Sequence, residues 1–184
     1  MTMVGHGPNR GFRVAPQRVV DIRLAANRMR QLFQVDGEKF NAETALERLS
    51  IFSVALDVIE DSSLEFVGGV EACWIPDTLT MTIKSSVYIG ACRNEPRALF
   101  TVAHEFGHLA LAHRRVFNRE NGLPFKLFED SEWQANTFAA EFLMPLHLIK
   151  KHGIKTADQI VTTFGVSQQA AETRITKLVS KFEI

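Results

Sequence analysis

Cysteine is nearly absent from this sequence: Cys73 and Cys92 are the only two. They lack the close spacing of a metal knuckle, and one possible pair is no disulfide framework, so a small cross-linked secreted fold is not expected and a reducing cytoplasm is. Excess charge is missing too. Lys+Arg and Asp+Glu each total 21, so no overall field draws the chain to nucleic acid or to an anionic membrane, and any nucleic-acid contact needs a local patch. No apolar run approaches the ~20 residues of a membrane span. The start, MTMVGHGPNRG, is polar and Gly-rich, without the apolar stretch of a signal sequence. The chain therefore reads as soluble and cytoplasmic, without a membrane partner and with a mobile start over residues 1–14. Internal repeats and low-complexity tracts are also lacking.

What is present is ordinary globular composition, 46% hydrophobic and 23% charged over 184 residues, enough for one domain with a substantial core. The expected class is α+β. Apolar spacing predicts helices over residues 16–34 and 42–49. Residues 51–90 change to short runs of Val, Ile, Thr, Phe and Tyr broken by turn signals, which predicts three or four strands in a small, mainly antiparallel sheet. Within it, residues 79–84 alternate apolar with polar, as for a strand at the sheet edge. Asn94-Glu95-Pro96 opens a helix that is apolar nearly all round and hence buried. After a loop over residues 114–130, Ser131 with Gln134 has capping-box spacing for a helix that Pro145 ends. Two short helices joined at Phe164-Gly165-Val166-Ser167 follow, in a helix-turn-helix-like pattern. The expected division is residues 1–152 as the main domain and 153–184 as a small helical segment packed on the same core.

The chemistry is concentrated in His104-Glu105-Phe106-Gly107-His108, an HExxH motif on the buried helix. Four residues at ~100° each bring the two imidazoles to one face, one turn apart, where both can bind one ion. Glu105 can then reach a water on that ion as general base. Two histidines merely hydrogen-bonded in the core are the plain alternative, but three ionisable groups in an apolar helix are costly unless something satisfies them. His113, at the helix end, reads as solvent-facing or dipole-favoured rather than as a ligand.

A zinc hydrolase site needs a third protein ligand and an open position. The downstream acids are Glu129, Asp130, Glu132 and Glu141. Glu132, Asn136 and Ala140 share one face of the 131–144 helix, which favours Glu132, with Glu129 second. Asn136 is a candidate hydrogen-bond partner behind a ligand. Glu141, nearly opposite, is expected to face solvent.

The strings FTVAHEFGHLAL, EWQANTFAAEFLMP and FGVSQQAAETRI, in that order over residues 87–178, resemble the ImmA/IrrE family of bacterial and phage metallopeptidases. The resemblance implies a zincin-like, gluzincin-type core holding one Zn2+ through His104, His108 and Glu132, with Glu105 catalytic. Gln134 departs from it, since the family commonly has an acid there. The resemblance also implies a protein substrate, a helix-turn-helix transcriptional repressor in a stress, DNA-damage, phage or mobile-element response. The alternative is a zinc-binding regulator that sequesters such a repressor or a toxin without cutting it, although an intact Glu105 favours catalysis.

Four further expectations follow. The strand at residues 79–84 could hold an extended substrate by strand addition. Cys92, just before the HExxH helix, is a candidate inhibitory fourth zinc ligand, since thiolates bind zinc well. Arg93, Arg97, Arg114, Arg115, Arg119 and Lys126, with Phe117 and Phe125 among them, could form a surface for single-stranded DNA as an activator. Tyr88 and His147 are candidates to stabilise the oxyanion, with no spacing that selects either.

Overall fold

The computed structural model describes residues 11–63, 69–114 and 125–184. It is an α+β structure in which helices surround a small three-stranded sheet. Helix α1 (Val19–Leu32) turns Ile22, Ala26, Met29 and Arg30 inward, the 3–4 residue spacing of one helix face. Asn41 caps α2 (Ala42–Glu47) by accepting the Thr44 N–H, and a 3₁₀ turn, Arg48–Phe52, leads into the sheet.

Strands β1 (Ala55–Ile59), β2 (Ala72–Ile75) and β3 (Thr80–Lys84) lie in the order β1-β3-β2. β3 is therefore central and not at the edge. Its Met81, Thr82 and Ile83 are all buried, because neighbours on both sides override the outward polar positions that the alternation suggested. The sheet is mixed rather than mainly antiparallel: β2 pairs antiparallel with β3, but β1 pairs parallel, Ala55 opposite Thr80 through Ile59 opposite Lys84.

The expected strand composition also misleads at residues 85–92, which form helix α3 (Ser85–Cys92). Val87, Gly90 and Ala91 point inward. The Ser86 N–H is satisfied by Asp61 Oδ1 at 2.9 Å, a helix-start partner from 25 residues away that no local pattern reveals. Asn94, at φ 60°, turns the chain directly into α4 (Pro96–Ala110), with Glu95 as N-cap and Pro96 in its first turn.

Helix α5 (Ser131–Leu143) is packed between α1 and α4. Asp130, not Ser131, caps it, accepting from the Glu132 and Trp133 N–H groups. Residues 11–17, whose first part belongs to the expected mobile start, run as an extended strap along the beginning of α5. Val14 N–H donates to Glu129 O at 2.8 Å and Gln17 N–H to Phe128 O at 3.1 Å. Phe12 N–H meets Ser131 Oγ at 3.1 Å. The core joins Phe33, Phe40, Phe106 and Phe142, with ring centroids 5.0–6.1 Å apart.

Beyond the short α6 (Leu146–Lys151), α7 (Ala157–Phe164) and α8 (Gln168–Ser180) meet at Gly165, whose φ of 70° suits glycine. Ile160, Phe164, Ala171 and Leu178 join the same buried cluster as α1, α4 and α5. Contrary to expectation, Glu141 is buried, 1% exposed. Arg174 of α8 holds both its oxygens at 2.7 Å and Arg23 of α1 binds it from the other side at 2.9 and 3.1 Å. Position opposite Glu132 places it against α1 and α8 rather than in water. No helix among the described residues is long and apolar enough to cross a membrane.

Candidate metal centre

Gly107 sets the distance between the two helices that carry the site. A Cβ there would stand 3.0 Å from Ala135 Cα, 3.1 Å from Ala135 O and 3.2 Å from Phe138 Cβ. Only a residue without a side chain lets α4 and α5 approach this closely. The first turn of α5 then delivers Glu132 to the two histidines one helical turn apart on α4.

His104 Nε2 and His108 Nε2 are 3.0 Å apart. The Glu132 carboxylate closes the triangle, one oxygen 3.2 Å from His104 Nε2 and the other 3.4 Å from His108 Nε2. Ligand atoms ~2.0–2.1 Å from a tetrahedral ion stand roughly 3.3–3.4 Å from one another. Two nitrogens and a carboxylate at these separations therefore fit one zinc-sized ion. Glu132 keeps 32% of its side-chain surface while His104 and His108 keep 16% and 11%, so the cluster opens to solvent on the Glu132 side.

Glu105 completes the group. Ligand-capable atoms of His104, Glu105 and His108 all lie within 4.8 Å of one another, but one Glu105 oxygen, Oε2, accepts the Trp74 N–H at 2.8 Å. Glu132, by contrast, touches both ring nitrogens, so it could serve as a third donor and Glu105 as a proton acceptor. Burial raises the Glu105 carboxyl, against the opposing pull of His104, His108 and the Trp74 N–H. Glu132 is held well below the usual carboxylate range by its hydrogen bonds to His104 and His108. For His104, burial favours the neutral ring, but Glu132, Glu105 and Asn136 outweigh it and raise its pKa.

Behind the ligand-capable atoms are further hydrogen bonds. Asn136 Oδ1 is 3.1 Å from His104 Nδ1. His113 is neither solvent-facing nor an added donor. It is 4% exposed, with Nδ1 2.9 Å from His108 Nδ1 and Nε2 2.9 Å from Gln134 Oε1. Burial pushes its pKa down to about 4. Position at a helix end suggested exposure, but the strap's Phe12 packs edge-on against its ring. The strap also reaches Glu132: a Cβ on Gly11 would fall 2.2 Å from Ser131 Oγ and 2.7 Å from Glu132 Cγ.

The other candidates lie elsewhere. Cys92 ends α3 beside Tyr88, whose hydroxyl also feels Glu43 and Glu47 rather than the histidines. The cysteine close to the carboxylates is Cys73 on β2, raised by burial and then by the charges of Glu105 and Glu132. His147 is exposed and feels Arg30 and Lys151. Arg97 is paired with Glu71 at 2.7 Å, while Arg115, Phe117 and Arg119 lie outside the described residues.

Comparison with known proteins agrees with this geometry. A peptidase family described as the IrrE N-terminal-like domain matches residues 74–176, more than half of the chain. The chain belongs to the ImmA/IrrE family. The matched span begins at Trp74 on β2 and holds both helices of the metal centre and most of α8. A solved Mycobacterium tuberculosis transcriptional regulator is similar in fold, with a TM-score of 0.53 and 17% identity over 83% of this chain. This chain spans 45% of that regulator's length. No curated protein matches.

Proposed function

We propose that this ImmA/IrrE-family protein is a zinc-dependent endopeptidase in which His104, His108 and Glu132 hold the metal and Glu105 is the general base. The observation that carries the proposal is the closed triangle of His104 Nε2, His108 Nε2 and Glu132 with separations of 3.0, 3.2 and 3.4 Å, with a buried carboxylate beside it. Zinc, when bound, acidifies a water and polarises a peptide carbonyl. Glu105 receives the water's proton at the oxygen that Trp74 leaves free and returns it to the departing amine nitrogen. Trp74 fixes the Glu105 rotamer, so that proton transfer starts from a set position.

The substrate backbone lies along β2 in this reading. Because β3 is central, strand addition at residues 79–84 is closed off, whereas among the described residues no strand pairs with the other side of β2. Its Trp74 N–H points away from β3, toward Glu105, so an extended peptide on that side would pass beside the metal centre. The substrate is a helix-turn-helix transcriptional repressor, a reading supported by the family and consistent with the regulator of similar fold. The proposed ligand set does not need Cys92, which lies at the end of α3.

The test compares zinc-loaded wild type with Glu105→Gln on a helix-turn-helix repressor encoded beside the protein. Cleavage by wild type and its loss in Glu105→Gln at unchanged zinc content supports the reading. Complex formation with bound zinc and no cleavage by wild type replaces it with sequestration of the repressor.

A further inference from the structure

The chain His108–His113–Gln134 contains a fact that distances alone understate: its protons have only one consistent arrangement. Gln134 Nε2 donates to two carbonyls, Ala15 O and Phe128 O, both at 2.8 Å. An amide group donates from nitrogen and accepts at oxygen, so turning this one over would lose both bonds and set Oε1 against two carbonyl oxygens. Oε1 therefore faces His113 as an acceptor. His113 Nε2, 2.9 Å away, must carry a hydrogen, and the neutral ring then leaves Nδ1 as a lone pair. That lone pair faces His108 Nδ1 at 2.9 Å. Two nitrogens at this distance share one hydrogen, which belongs to His108 Nδ1. His108 Nε2 is then bare and aimed at Glu132 and His104 Nε2.

We propose that His113 and Gln134 are positioning residues that lock His108 in its Nδ1–H tautomer, and that residues 11–15 take part by fixing the Gln134 amide. The proposal rests on the metal-binding reading above and adds to it the means by which a strap far away in sequence controls one ligand. A histidine ligand's second nitrogen sets which tautomer meets the metal. Here that partner is itself a histidine, whose own tautomer is set by an amide, whose orientation is set by the strap's Ala15 carbonyl. His104 needs no such relay, because Asn136 Oδ1 accepts from its Nδ1 directly.

The experiment is long-range 1H–15N spectroscopy of the histidine rings in the full chain, metal-free and zinc-loaded, together with zinc affinity by chelator competition. Wild type is expected to show a protected proton on His108 Nδ1 and a proton on His113 Nε2. His113→Phe should lose the protected His108 proton and weaken zinc about 10–100-fold. Gln134→Met should let His113 exchange between tautomers. A proton on His113 Nδ1 in wild type overturns the proposal, as does wild-type zinc affinity in folded His113→Phe and Gln134→Met. Should His113→Phe fail to fold, the wild-type spectrum and Gln134→Met still decide. These readouts are independent of cleavage: loss of the peptidase reading would leave the tautomers as stated, and reversed tautomers in an active peptidase would remove only this proposal.

Discussion

Gly107→Ala adds one methyl group where α4 and α5 touch. The new carbon would meet three atoms at 3.0, 3.1 and 3.2 Å, two of them the backbone of Ala135 and the third the Cβ of Phe138. None is the end of a flexible side chain, so relief requires the helices to part. Restoring carbon contacts of ~3.5–4.0 Å takes a movement of roughly 0.5–1.0 Å. Overpacking costs ~1–3 kcal/mol, while alanine gains ~0.8–1 kcal/mol over glycine inside a helix. The net destabilisation is then roughly 0–2 kcal/mol, which lowers Tm by no more than about 8 °C for a domain of this size.

The effect on the metal centre should be larger than the effect on stability. Glu132 is one turn before Ala135 and moves with it, whereas metal–ligand distances tolerate only about ±0.2 Å. Zinc affinity is therefore expected to fall at least about tenfold, the scale seen when ligands are poorly held. Thermal unfolding of the metal-free protein and competition with a chromophoric chelator measure the two effects separately. A folded Gly107→Ala protein that binds zinc as tightly as wild type would refute the claim that this glycine sets the ligand geometry. A collapse in metal-free stability with unchanged zinc affinity would refute it as well.

Four other outcomes are expected. Glu141→Leu leaves Arg174, itself 5% exposed, as a buried charge without its partner, and should cost about 3–5 kcal/mol in urea unfolding. Adding Arg174→Met should recover much of that, and strict additivity of the two losses would count against a coupled pair. For acid unfolding, burial raises the Glu141 carboxyl, but hydrogen bonds to Arg174 and then Arg23 outweigh it and leave it lowered from 4.5. Its contribution is thus present above that value and lost as pH falls from there through the lowered folded pKa; in Glu141→Gln this part of the acid dependence should be missing. Asn136→Ala, which removes the partner of His104 Nδ1, should weaken zinc about 10–100-fold with little change in Tm, checked by the same chelator competition. Gly11→Ala should expose residues 11–17 to limited proteolysis, since its Cβ cannot fit beside Ser131; equal digestion rates would show that the strap accommodates it.

The parts of the site that were legible in the sequence are those whose spacing stays within one helix. His104 and His108 share a face by periodicity alone. Asn136, one turn after Glu132, meets His104 as that face requires. The parts that were not legible depend on which other elements surround a residue. Glu141 carries the same local signal as a solvated acid, and only the arrival of α1 and α8 with Arg23 and Arg174 makes its burial sustainable. The 85–92 helix has strand-like composition, and its first-turn partner, Asp61, is remote. Alternation at residues 79–84 describes one strand and cannot report how many neighbours it will have.

His113 is the most instructive of these. Five residues beyond His108, and just past the end of α4, it meets His108 within its own segment, but no helical spacing marks that pairing and the position reads as a polar terminus. Its surroundings come from two other places: Gln134 on α5 and Phe12 on the strap. A buried imidazole with both nitrogens engaged is tolerable only because both neighbours accept or donate in the right sense. The strap bonds Asp130, Ser131 and Gln134 and packs on His113. An N-terminal segment without recognisable pattern therefore borders one proposed ligand directly, at Glu132, and another through two intervening side chains, at His108. The region with the weakest sequence signal thus touches one of the three proposed donors, Glu132, and reaches a second, His108, only through Gln134 and His113.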